Sequence, residues 1–181
     1  SHSQSICYSH DMTKDTTYLC TTANGIMIVF DPVHSHTATH FKDAPSLKHQ
    51  VKNLLGSLVV EDDLIAQEFD MGKIIGDCNV IETDEKDEII YAIRKNRRDQ
   101  GYVPFTKSRT SQPCSLISIH LVKKTAETYE LSSVWIGEYE SPMFPQMENA
   151  TAEIIPYWRQ HAFGWGSQEI IPGTELSQCH W

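Results

Sequence analysis

No CxxC pair occurs in this 181-residue chain, and its five cysteines (Cys7, Cys20, Cys78, Cys114, Cys179) are odd in number and widely spaced. Such a set builds neither a disulfide framework nor a thiolate zinc site, so incidental free thiols in a reducing, cytoplasmic setting are expected. No apolar run approaches the roughly 18–20 residues that a membrane-spanning helix needs. No charged-then-apolar leader pattern opens the sequence, so a soluble chain with no membrane partner is expected. Residues 1–5, SHSQS, read as a tag remnant or frayed end, and 1–15 are set aside from the fold. Also missing are a Gly-rich phosphate loop and a GxSxG elbow, which leaves nucleotide hydrolysis and acyl transfer without a motif. There is no internal repeat and no low-complexity tract.

What is present is an ordinary globular composition, 40% apolar and 22% charged, at a length that one core can serve. A single domain over 1–181 is expected. The net charge of −9 argues against a protein that coats nucleic acid. The distribution differs from the total. Residues 94–124 hold eight cations and one acid, a local charge of +7 that leaves −16 for the remainder. A basic stripe inside an acidic protein is a candidate anion-binding face, although cations that merely protect a strand edge would look the same.

The hydrophobic pattern predicts an α+β protein. Residues 16–22 and 25–31 are β-rich and flank Asn24-Gly25, the strongest short hairpin signal. Asp31-Pro32 ends the second run, and 33–45 reads as a loop carrying the histidines of HSHTATHF. Ser46 can cap a helix in which Leu47, Val51, Leu54 and Leu55 recur at helical spacing. A second short helix is expected over 61–69, with acids in its first turn. From Gly76 the period becomes two, and 79–82, 88–95, 103–109, 115–123 and 129–138 read as an antiparallel meander of about four to six strands. The acid run 82–88 reads as a solvated turn. In 115–123, His120 shares a face with Leu116, Ser118 and Val122, away from Ile117, Ile119 and Leu121. A C-terminal helix over 151–163 would carry Trp158, His161 and Ala162 on one face, with Pro156 early in it or kinking it.

Three residue sets have the chemistry for a site. His34, His36 and His40, with His49 beyond, have a His-x-His-x3-His spacing that suits a divalent metal such as zinc, completed by Asp31 or Asp43; acid/base chemistry or substrate contact without a metal, and no role beyond a polar loop, are the alternatives. The basic strands offer Arg94, Lys95, Arg97 and Arg98 for substrate binding, then Thr106, Lys107 and Arg109. Metal-free RNA cleavage needs a base, an acid and cations beside a crowded phosphorane, and histidine, lysine, arginine and threonine supply them. The third set is WRQHAFGW, where Trp158 suits the core and His161 lies one turn along; His120 and His161 join His36 and His40 as candidate acid/base groups.

Residues 77–97 (DCNVIETDEKDEIIYAIRKNR), followed by FTKSR, YELSSVWIGEY, PMFP and YWRQHA, resemble an uncharacterised bacterial protein family with this order of motifs. More loosely, the succession of upstream histidines, two helices and strands over 33–136 is similar to bacterial toxin-like ribonucleases of the barnase, EndoU, colicin and RelE group. That resemblance implies helices on an antiparallel sheet and metal-independent RNA cleavage without a cofactor. It matches His36 or His40 to the histidine before the helices, and Thr106, Lys107 and Arg109 to the polar residues of the central strands. Residues 142–181 have no counterpart in those ribonucleases, and the overall acidity departs from their usual basic character. Three readings follow: a metal-independent endoribonuclease acting on RNA, a metal-binding protein or hydrolase, and a non-catalytic module for an anionic partner.

Overall fold

The Asn24-Gly25 turn forms the hairpin its sequence predicts, joining β1 (Thr17–Thr21) to antiparallel β2 (Met27–Phe30). Gly25 sits at φ 82, where a side chain would be strained, and the Asn24 amide is held in place by the backbone of Val60. The computed structural model describes residues 15–139, 144–148, 150–179 and 181; the set-aside segment 1–15 lies outside it except for Asp15. The described residues form an α+β architecture of three helices and eleven strands. No helix among them is long and apolar enough to cross a membrane. The chain divides into two compact units, residues 1–67 with 118–135 (unit 1) and 68–117 with 136–181 (unit 2), and the divisions fall inside strands.

In unit 1 two helices follow the hairpin, as expected in number, but only one of them is in the expected place. The first, α1 (His36–Asp43), occupies the segment read as a histidine loop. The Ser35 hydroxyl caps the helix by accepting from the Ala38 amide, and in the turn ahead of it the Asp31 carboxylate accepts from the amides of Val33 and His34. Burial of Thr37 and Phe41 one turn apart then anchors a run of weak helix formers. The second, α2 (Pro45–Ser57), starts on a proline and buries the predicted Leu47, Val51, Leu54 and Leu55. The helix expected over 61–69 is instead a strand, β3 (Leu64–Asp70). Its entry is tied down by the Lys123 amide donating to Asp63 O and the Tyr129 hydroxyl donating to Asp62 O. Sheet pairing therefore overrides the local helical signal. The five-stranded sheet runs β1-β2-β10-β9-β3, where β9 is Leu116–Lys123 and β10 is Thr128–Ile136. β10 lies parallel to β2, with Tyr129 opposite Ile28, so the later strands do not form one continuous meander. Ile28, Val51, Leu55, Ile119, Leu121 and Leu131 are fully buried in this unit.

Unit 2 holds a four-stranded sheet ordered β5-β11-β7-β6, built from β5 (Val80–Glu82), β6 (Ile89–Ile93), β7 (Tyr102–Thr106) and β11 (His161–Gly164). A separate two-stranded ladder pairs β4 (Gly76–Cys78) with β8 (Gln112–Cys114). The C-terminal helix is shorter than expected: α3 spans Ile154–Gln160 with Pro156 in its first turn, and His161 is already extended at φ −135 and ψ 150. His161 thus begins β11 rather than sharing a helical face with Trp158, because β11 pairs with both β5 and β7. Trp158 is in the core as expected, stacked at 4.6 Å on Phe144 beside Phe105 and Phe163. The C-terminal segment runs along the outer edge of β6, with Tyr91 and Leu176 exchanging backbone hydrogen bonds and Ile171 donating to Ile93. Covering a sheet edge in this way removes unpaired backbone groups from solvent.

Candidate functional site

The connection from β6 to β7 carries four of the predicted substrate-binding cations within five residues, Arg94, Lys95, Arg97 and Arg98. Asn96 adopts φ 62, a left-handed conformation that asparagine tolerates, and Gly101 closes the turn at φ 67. Amides of Arg97, Gln100 and Gly101 donate to carbonyls three residues earlier, so this turn is regular.

Arg94 belongs to the face of β6 that also carries Ile90 and Ala92, and its side chain turns onto the core rather than into solvent. Its guanidinium carbon lies 4.8 Å from the centre of the Phe163 ring. One terminal nitrogen donates to the Gln100 side-chain oxygen and the other to that of Gln168, each at 2.9 Å, while Nε is buried without an acceptor. Burial, and then the neighbouring Arg97 charge, hold it below the ordinary arginine value. No carboxylate among the described residues pairs with Arg94; neutral amides and a ring hold the charge. Lys95 meets Glu169 at 3.3 Å, an exposed pair that contributes little. Lys95 and Glu169 also line an open groove of about 470 Å³ with Ile170, Ile171 and Pro172. Arg97 and Arg98 are exposed, and no described carboxylate pairs with either.

The cations at the far end of β7 are held differently. Thr106 is fully buried, and its hydroxyl donates to Asp87 at 3.2 Å. Arg109 grips the same carboxylate with Nε at 3.3 Å and Nη2 at 2.7 Å, and Nη2 also reaches Glu82 O. Asp87, expected in a solvated acid turn, has a side chain only 5% exposed. The Asp84 amide lowers its pKa most, with Arg109 and Thr106 adding to this against the opposing effect of burial. Lys107 is exposed, its ammonium 5.2 Å from the Trp165 ring centre.

The histidines do not gather into one set. His34 is exposed ahead of α1, 3.9 Å from Asp31. His36 and His40 are one turn apart on α1, and desolvation followed by the His36 neighbour keeps His40 below the usual imidazole value. His49 contacts Asn53 on α2. No group of three or more His, Cys, Asp or Glu among the described residues is arranged to hold a metal, so the spacing of His34, His36 and His40 does not translate into a ligand set. His120 lies on the predicted face of β9, opposite the buried Ile117, Ile119 and Leu121. Its Nδ1 contacts the Ser132 hydroxyl, which itself donates to His120 O. In unit 2, His161 stacks on Tyr157 at 4.0 Å and 7°, its Nδ1 donating to Tyr157 O.

The predicted residues are therefore divided. His34, His36, His40 and His120 belong to unit 1, while Arg94, Lys95, Arg97, Arg98, Thr106, Lys107, Arg109 and His161 belong to unit 2. Within unit 2, Thr106 and Arg109 converge on Asp87, and Arg94 is joined to Gln100, Gln168 and Phe163. The one sequence signal at Asp87 is its charge, within an acid run that reads as a solvated turn. Gln168 carries no such signal, being 74 residues from its partner. Comparison with family models, with curated proteins and with solved structures returned no match.

Proposed function

We propose that unit 2 is a binding module for an anionic partner, RNA in the cytoplasm, and that the β6–β7 turn is the contact surface. The observation that carries this reading is the exposed Arg97 and Arg98, which no described carboxylate pairs with, beside an Arg94 held only by neutral groups. A guanidinium with spare donors suits the geometry of a phosphate oxygen pair. Net acidity elsewhere limits the footprint, so weak binding confined to this turn is expected rather than coating.

The cleavage reading has one supporting observation. His161 commits Nδ1 to a carbonyl, which fixes the ring and leaves Nε2 as the nitrogen able to exchange a proton with a ligand. Thr106 and Arg109, by contrast, are engaged with Asp87. In this reading they support the strand end rather than touch RNA.

Fluorescence anisotropy with a 12-nucleotide single-stranded RNA in EDTA, followed by gel analysis of the same samples, tests both. The expected result is saturable binding of intact RNA that His161→Ala leaves unchanged and Arg97→Ala/Arg98→Ala weakens. Absence of binding at low salt overturns the module reading. Cleavage that disappears in His161→Ala establishes the endoribonuclease instead.

A further inference from the structure

The C-terminal segment that covers the edge of β6 builds a second surface beside the basic turn, and all of it belongs to unit 2. The Lys95 amide donates to Glu169 O at 2.9 Å, Arg94 bridges to Ile170, and the Ile171 amide donates to Ile93 O at 2.8 Å. Lys95 and Glu169 therefore stand opposite each other across a backbone pair, and Glu169 shares a face with Ile171 by alternation. The segment is anchored on its other face, where Gln168 accepts from Arg94 and Ile170 packs against the core of the unit. With Pro172, whose φ is fixed by its ring, these residues line the open groove of about 470 Å³, a volume in the range of small-ligand sites. The Lys95 ammonium and the Glu169 carboxylate lie 3.3 Å apart and are mostly exposed. Such a pair adds little to stability, so a ligand can take over its donors and acceptors at little cost.

We infer that this groove seats an unpaired guanine base of the RNA held at the turn. The Glu169 carboxylate accepts from N1–H and the 2-amino group, and the Lys95 ammonium donates to O6. The inference rests on the reading of the β6–β7 turn as an RNA contact. Arg97 and Arg98 follow Lys95 by two and three positions and are exposed, so phosphates flanking the base meet charges of the opposite sign.

Base chemistry then selects the occupant. A carboxylate carries only acceptors and an ammonium only donors. On its Watson–Crick edge guanine presents two neighbouring N–H donors and then a carbonyl, which matches a carboxylate beside an ammonium. Cytosine and adenine offer one amine next to a ring-nitrogen lone pair, and uracil offers one N–H between two carbonyls. In each of these three a carboxylate oxygen faces a lone pair. Single-stranded RNA exposes such edges because its bases can leave the stack. Ile171 and Pro172 supply the apolar contact for the face of the base.

The test is fluorescence anisotropy of the full chain with labelled oligouridines of one length that carry a single guanosine, inosine, adenosine or cytidine, or none. The guanosine RNA is expected to bind about tenfold tighter than plain oligouridine, and inosine, which lacks the 2-amino group, to lose most of that gain. Glu169→Gln should bring the guanosine RNA down to the level of plain oligouridine, with a thermal melt that matches the wild type because the Lys95 pair is exposed. Equal affinity for all five RNAs, tighter binding of the adenosine or cytidine RNA, or a guanosine preference that survives Glu169→Gln overturns the inference and leaves RNA binding at the turn in place. Absence of binding to every RNA at low salt overturns the reading of the turn, and the guanine seat with it.

Discussion

Arg94 and Arg109 stand in one basic stripe and one compact unit, yet they are held in opposite ways. Arg109 meets a carboxylate through two nitrogens and shares it with a buried threonine. Arg94 has two amide oxygens, a phenyl ring and a buried Nε without an acceptor. A charge count along the chain treats them alike. Partner chemistry separates a cation neutralised by a carboxylate from one laid over a ring and held by neutral amides, and leaves the exposed Arg97 and Arg98 as the charges a ligand can meet.

The largest expected effect breaks the Arg109 side of this contrast. Asp87→Ala strands a guanidinium and leaves the buried Thr106 hydroxyl without its acceptor, for an expected loss of about 2–3 kcal/mol in urea unfolding. Arg94→Met replaces an unneutralised cation by an apolar side chain over Phe163, and a change within about 1 kcal/mol is expected. Equal losses at the two positions would erase the distinction.

Next comes the pH dependence. The Asp87 carboxyl is held below its ordinary 3.8, chiefly by the Asp84 amide. Its stabilisation is therefore present above that value and is lost as pH falls through the lower folded-state value. Asp87→Asn should blunt this acid-sensitive loss. For His40, desolvation and His36 lower the imidazole from 6.5, so the fold favours the neutral ring. Stability should decline as pH drops below 6.5, and His40→Gln should flatten that smaller slope in thermal melts at pH 5–7. Smallest of all is Lys95→Ala. It breaks an exposed pair with Glu169, and its unfolding free energy should match the wild type within about 0.5 kcal/mol.

Local signals carried much of this fold. The Asn24-Gly25 hairpin, the apolar stripe of α2, the face of His120 and the core position of Trp158 all follow from spacing. The failures share a cause in long-range structure. Residues 61–69 look helical until β9 offers backbone partners, and the histidine segment, poor in helix formers, becomes a helix through the Ser35 cap and the burial of Thr37 and Phe41. His161 lies in helical register with Trp158, but pairing with β5 and β7 draws it into a strand. At the candidate site, the cations Arg94 to Arg98 were legible from charge alone. The partners of the stripe were not: the Gln168 amide reaches Arg94 across 74 residues, and Asp87, which pairs with Arg109, was hidden in an acid run that reads as solvated.

The central claim is that the free charge of the stripe lies at the β6–β7 turn. Its most direct test is the salt dependence of single-stranded RNA binding between 50 and 200 mM KCl. With about three phosphate contacts at roughly 0.7 per contact, log affinity against log salt should have a slope of about −2, falling to about −0.7 in Arg97→Ala/Arg98→Ala. A slope that the double variant leaves unchanged, or no binding at the lowest salt, would contradict it.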